Sequence, residues 1–222
     1  MSLKFKLASY LESTLLTPIA LKGDIVKLCQ DALAYNFAAV CIHPTYIPLA
    51  ASLLQGSTVR VATVVGFPLG ANDLRIKAQE AQLAVRNGAA EIDMVINIAA
   101  LKNGDMELIS REVSAVAECG APIKAIMETG YLTKDEVIQA CAYIKEGGAH
   151  FVKTCTGFGP RGVLLEDILL IRAHLHPSMG IKAAAGIKSF SFARELIGAG
   201  ATRIGTSAAK TIIEQADNVE TG

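Results

Sequence analysis

The run Phe151-Val152-Lys153-Thr154-Cys155-Thr156-Gly157-Phe158-Gly159 closes an apolar stretch with a lysine and follows it with hydroxyls, a thiol and glycines. A stretch of that kind reads as a buried strand, and burying an unpaired ammonium at its end costs several kcal/mol. Catalysis supplies a reason to bear that cost. A lysine amine kept neutral near pH 7 attacks a carbonyl and holds the substrate as a Schiff base. The plainer reading lays the stem of Lys153 along a sheet with its head in water, so other residues must decide.

Two of them do. Asp93 falls in Ala90-Glu91-Ile92-Asp93-Met94-Val95-Ile96, a run apolar enough to be a strand buried on both faces. A carboxylate there needs a cationic or hydrogen-bonding partner, and a salt bridge that fixes barrel register would satisfy it. Lys182, in Gly180-Ile181-Lys182-Ala183-Ala184-Ala185-Gly186, repeats the signature of Lys153. Two inward ammoniums about 6 Å apart at an effective dielectric near 20 repel by roughly 2.8 kcal/mol, or about two pKa units. Together with burial this brings a lysine from about 10.4 toward the 7–8 range useful for a nucleophile. Lys153 is thus the expected nucleophile, Lys182 its electrostatic tuner and Asp93 the proton carrier, although the residues alone leave the two lysines free to exchange roles.

The glycines suggest an anion. Gly157-Phe158-Gly159-Pro160-Arg161-Gly162 fits GxGxxG, yet Lys182 stands where a dinucleotide site needs an acid. Gly157 after the sixth strand, Gly186 after the seventh and Gly205-Thr206-Ser207, expected to open the last helix, can instead cradle a phosphate with backbone N–H groups. Ordinary tight turns are the alternative. Cys41 ends a strand as a pocket residue or a small buried thiol. Glu128 reads as a salt bridge at the barrel rim rather than a pocket acid. No metal site is expected: His174 and His176 suit the dipole at a helix end, and His43 and His150 stand alone.

Eight strands near 10–15, 38–42, 59–66, 90–95, 122–126, 149–153, 179–184 and 201–204 alternate with helical segments near 24–35, 44–54, 72–87, 105–118, 133–146, 163–174, 189–198 and 206–215. That alternation, in 222 residues without a linker or composition shift, predicts one domain over 1–222, an α/β (β/α)₈ TIM barrel. Asn72-Asp73 and Thr133-Lys134-Asp135-Glu136 start helices; Asn87-Gly88, Gly147-Gly148 and Gly200 stop them. Gly88, Gly148 and Gly200 are each followed five residues later by Asp93, Lys153 and Gly205, and Asn36 by Cys41, so the four should converge at the C-terminal strand ends.

Lys plus Arg equals Asp plus Glu at 21 each, so no overall field recruits nucleic acid or an acidic membrane. Five cysteines without a CxxC pair point to a reducing compartment, the cytoplasm. No apolar run reaches membrane-spanning length, and the N-terminus lacks a signal-peptide core; Met1-Ser2-Leu3 reads in part as an expression scar.

Taken together, Thr14-Leu15-Leu16, Val40-Cys41-Ile42-His43-Pro44, Val64-Val65-Gly66-Phe67-Pro68-Leu69-Gly70, Glu91-Ile92-Asp93-Met94-Val95-Ile96-Asn97, Lys153-Thr154, Gly157-Phe158, Lys182-Ala183 and Arg203-Ile204-Gly205-Thr206-Ser207 resemble the class I aldolases of the DeoC family, in one order along nearly the whole chain. The resemblance implies a TIM barrel that reversibly cleaves 2-deoxy-D-ribose 5-phosphate to glyceraldehyde 3-phosphate and acetaldehyde, without metal or organic cofactor. It implies Lys153 as the Schiff-base lysine, Asp93 in proton transfer and Lys182 as its perturber. Gly157, Gly186 and Ser207 would contact phosphate, with Thr156 and Cys41 near the substrate, in a cytoplasmic homodimer or homotetramer. Two positions depart from the family pattern: Glu12 where Asp is common, and Ala185 where a second glycine is usual. The other readings are a Schiff-base aldolase for another phosphorylated sugar, and a catalytically silent sugar-phosphate binder.

Overall fold

The computed structural model describes the backbone of residues 7–220 and the side chains of residues 7–216. The expected scar at 1–3 and the outermost ends of the 1–222 domain lie outside the described residues. Parallel strands β1 (Leu11–Leu15), β2 (Ala39–Ile42), β3 (Arg60–Val65), β4 (Glu91–Val95), β5 (Ile123–Ile126), β6 (Phe151–Lys153), β7 (Gly180–Ala184) and β8 (Arg203–Thr206) pair in sequence order and close, β8 against β1. Between and after them lie α1 (Lys22–Tyr35), α2 (Ile47–Leu53), α3 (Leu74–Arg86), α4 (Ile98–Lys102), α5 (Met106–Ala117), α6 (Lys134–Glu146), α7 (Leu165–His174), α8 (Phe190–Gly198) and α9 (Ala209–Glu220). This is the (β/α)₈ TIM barrel the alternation predicts.

Strand residues alternate between two environments. Val40, Ile42, Val61, Val65, Ile92, Met94, Ile123, Ala125, Val152, Ile181, Ala183 and Ile204 belong to the large core shared with the helices. The other phase faces the lumen, where Ala39, Cys41, Ala62, Val64 and Leu16 form a small apolar cluster on one side. The opposite side of the lumen carries charge. An eight-stranded barrel has an interior just wide enough for side chains to fill, so lumen residues pack against their near neighbours.

The punctuation that bounds the elements is borne out. Asp73 caps α3 through Arg75 N, and Thr133 and Glu136 form a reciprocal capping box on α6. Gly88, Gly148 and Gly200 have φ of 107°, 84° and 113°, values a Cβ would resist. Two elements differ from expectation. The short α4 follows β4, capped by Asn97 on Ala100 N at 3.0 Å. β8 begins later than 201, because Ala201 N still bonds back to Leu196 O at the end of α8. Gly205 and Thr206 are therefore strand residues and do not open the last helix, which starts at Ala209.

Candidate active site

Asp93 on β4 stands beside Lys124 on β5 in register, and Lys153 on β6 beside Lys182 on β7. Only Lys153 ends its strand. Asp93 and Lys182 lie mid-strand, and long inward arms bring the groups together rather than shared strand ends. Asp93 Oδ2 accepts from Lys153 Nζ at 2.8 Å and from Lys182 Nζ at 2.6 Å, while Oδ1 accepts from Lys124 Nζ at 2.9 Å. Lys182 Nζ also donates to Glu12 Oε2, which lies 3.2 Å from Lys124 Nζ. Below this layer Glu91 meets Lys124 at 2.6 Å and Arg60 at 2.6 Å, and Arg203 stands 3.4 Å from Glu12. Gly205 makes room for the arm of Lys182: a Cβ there would sit 2.8 Å from Lys182 Cε.

The three lysines and the three carboxylates Glu12, Glu91 and Asp93 are all buried, so pairing governs their charge. Burial pushes the Asp93 carboxyl up, but the ammoniums of Lys124, Lys153 and Lys182 outweigh it and hold it well below the usual carboxylate range. Burial pulls the Lys182 ammonium down, yet Asp93 and Glu12 outweigh burial and raise it above an ordinary lysine. Lys124 is raised for the same reason, against burial, by Asp93, Glu12 and Glu91. Lys182 and Lys124 are thus fixed cations, and one carboxylate oxygen is shared between Lys182 and Lys153.

Above the cluster opens a cavity of about 460 Å³ whose floor includes Lys153 and Lys182. Thr156, Gly157, Gly186, Gly205 and Ser207 line it; Gly157, Gly186 and Ser207 are exposed at its mouth. Its lining carries four cations, Lys153, Arg161, Lys182 and Lys188, and no aspartate or glutamate. The Arg161 guanidinium is held by Asp167 at 2.6 and 2.9 Å and by the carbonyls of Gly162 and Thr129, whereas Lys188 is exposed. Cys41 is not on the pocket wall. It lies buried beneath, its Sγ 3.7 Å from Asp93 Oδ2, where burial pushes the thiol up to about 11. Ala185 takes φ 76°, the conformation a glycine would accept freely.

Lys124 and Glu91 belong to the cluster although sequence reading gave them no role. The signal was present in Lys124, which interrupts the apolar run Pro122–Met127 just as Lys182 interrupts its own. Glu128 overturns the expected rim salt bridge: among the described residues no cation pairs with it, and its Oε2 accepts from Thr156 N at 3.1 Å and from Thr156 Oγ1.

Strand order and lysine cluster together define a (β/α)₈ barrel with a lysine-centred site inside its C-terminal end. Residues 12–209 match the DeoC/LacD family aldolase model, and the chain belongs to that family. It is 48% identical over 220 residues to the deoxyribose-phosphate aldolase of Thermococcus gammatolerans, covering 96% of this chain and 98% of that one. It is 49% identical over 214 residues to that of Clostridium perfringens strain SM101, covering 95% and 96%. Among solved structures, the tetrameric deoxyribose phosphate aldolase of Aeropyrum pernix superposes with a TM-score of 0.91 at 32% identity, covering 97% of this chain and 93% of that one.

Proposed function

We propose that the protein is a deoxyribose-phosphate aldolase, a class I lyase that reversibly cleaves 2-deoxy-D-ribose 5-phosphate to D-glyceraldehyde 3-phosphate and acetaldehyde. The observation that carries this reading is a pocket with four cations and no acid in its lining, floored by two lysines that share one buried carboxylate. The mouth suits a phosphate, through Gly157, Gly186 and Ser207 and the exposed ammonium of Lys188.

Lys153 Nζ adds to the C1 carbonyl, and loss of water gives a protonated imine. That iminium carries the charge of the ammonium it replaces at nearly the same place, so Asp93 Oδ2 stabilises both without moving. The C3 hydroxyl gives up its proton to solvent, from which C2 later takes one back; the C2–C3 bond breaks, and its electrons pass into the iminium to leave an enamine on Lys153. Glyceraldehyde 3-phosphate departs, C2 takes a proton, and water releases acetaldehyde. Asp93, held deprotonated by three ammoniums, orients Lys153; Lys182, a fixed cation, competes for the same oxygen. A silent binder would need only the mouth, and would gain nothing from three lysines around one carboxylate beneath it.

Incubation with acetaldehyde and borohydride, followed by intact mass and peptide mapping, tests the reading. A reduced two-carbon adduct confined to Lys153 is expected; a folded sample with no adduct would sink it. The reading extends to a homodimer or homotetramer in the cytoplasm, supported by the tetrameric Aeropyrum relative and by five free thiols. Among the described residues no helix is long and apolar enough to cross a membrane. Light scattering giving a monomer at micromolar concentration would remove the oligomer.

A further inference from the structure

We propose that Glu128 is a positioning residue that sets the preference for a phosphorylated substrate, acting through Thr156. The inference rests on the reading above, in which the loop after β6 holds the phosphate.

The chain beyond β5 is stitched to the chemical end of β6: Met127 N donates to Lys153 O at 3.1 Å and Thr129 N to Thr154 O at 2.9 Å. Between those bonds Glu128 adopts φ 46° and ψ 68°, a left-handed conformation that a side chain with a Cβ holds only when its surroundings impose it. Its side chain is buried and forms no ion pair among the described residues, the nearby Arg161 being paired with Asp167 instead, so a salt bridge does not explain it. Glu128 Oε2 accepts both the N–H and the hydroxyl of Thr156. The lone pairs of Thr156 Oγ1 are then free to receive Phe158 N–H, at 2.9 Å. One carboxylate thereby dictates the turn that carries Gly157 into the pocket lining.

The far end of the loop rests on the same group. A Cβ on Gly159 would lie 2.6 Å from Glu128 Cδ and 2.7 Å from Oε1, so Gly159 leaves the space that the carboxyl fills. Oε1 itself has no hydrogen-bond partner among the described residues. The clamp therefore works through a single oxygen and through contact: Glu128 is not itself part of the cavity lining, but Thr156 and Gly159, which it holds, are.

The test compares kcat/KM for 2-deoxyribose 5-phosphate and for 2-deoxyribose, alongside the rate of acetaldehyde and borohydride labelling at Lys153. Glu128→Ala is expected to lower the ratio of the two at least about tenfold, through KM for the phosphorylated sugar, with labelling within about threefold of wild type. Glu128→Gln keeps an oxygen that accepts both Thr156 donors, and should hold the ratio within about threefold. Gly159→Ala pushes on the carboxyl from the other side and should reproduce the loss even where Glu128→Ala fails to fold. An unchanged ratio in Glu128→Ala or Gly159→Ala overturns the inference, as does an equal loss for both sugars together with lost labelling. A wild type without preference for the phosphorylated sugar would overturn the phosphate reading first, and this inference with it.

Discussion

Lys153 and Lys182 stand one strand apart, yet their company differs. Lys182 is held by Asp93 and Glu12, while Lys153 has Asp93 as its only ion-pair partner among the described residues and opens onto the cavity. That asymmetry supports the proposed division of roles, Lys153 as nucleophile and Lys182 as its charged neighbour, which the residue types alone left exchangeable. Lys153→Ala removes the proposed nucleophile and is predicted to lower kcat by roughly a thousandfold or more, with no borohydride-trapped adduct; an adduct still formed at Lys182 would reverse the assignment. Lys182→Leu takes a competing ammonium off Asp93 Oδ2, leaving that oxygen to bind the Lys153 ammonium alone. The half-maximal pH for imine formation should rise, and an unchanged profile would end the tuning role. Legibility follows the same logic. A lysine or aspartate inside an apolar run stands out, which is why Lys153, Asp93 and Lys182 could be read in advance. Glu91 opens its strand, where an acid looks like an ordinary edge residue, and Glu128 follows β5 where sequence cannot show that its backbone is left-handed.

At the level of elements, the proposed phosphate contacts fall on the loops that follow the strands. The turn after β7 bears Ala185 at φ 76°, and a Cβ built on Gly157 would lie 3.8 Å from the Ala185 Cβ, so the alanine narrows the mouth. Ala185→Gly relieves about 1 kcal/mol of left-handed strain but frees the unfolded chain by a similar amount, so stability should change by less than about 1 kcal/mol. The predicted effect is functional instead: a lower KM for the phosphorylated substrate, read by initial rates, with a higher KM refuting the crowding. Behind the loops after β3 and β4, α3 and α5 are joined by a buried pair. Lys77 donates to Glu112 at 2.5 Å and to Val95 O at 3.0 Å, and Glu112 accepts Asn97 N at 2.5 Å. Burial pushes the Glu112 carboxyl up while Lys77 draws it down. Lys77→Met strands that carboxyl, and urea unfolding should show a loss of about 3 kcal/mol; a loss below about 1 kcal/mol would mean the pair carries little. Neither residue was legible as a partner, because Lys77 and Glu112 sit on helices where charged residues normally face water. β8 was placed two residues early for a related reason: Ala201 looks like a strand residue, but it completes the cap of α8.

For the molecule as a whole, the same buried charges bound the pH range over which the barrel holds. Asp93 and Glu91 have folded values below their ordinary 3.8 and 4.5, Asp93 well below, so their contribution is complete above about pH 5 and falls away as acid protonates them in the folded state. Lys124 and Lys182 are raised above 10.5, so theirs is complete below that value and is lost as pH climbs through the folded one. The lysines do not set the alkaline edge. Cys29 and Cys41 are pushed by burial from 9.0 to about 11, and Cys141 to about 12. Unfolding exposes thiols that ionise near 9, so each draws the folded state down by about 1.4 kcal/mol for every pH unit between the two values. Under reductant, Tm should therefore hold level from about pH 5 to about 9 and decline on both sides. Cys141→Ala lowers the level by opening a small void, yet should make the alkaline slope shallower, and Asp93→Asn should do the same to the acid slope. A decline that begins only above about 10.5, with no change of slope in Cys141→Ala, would assign the alkaline limit to the lumen lysines instead.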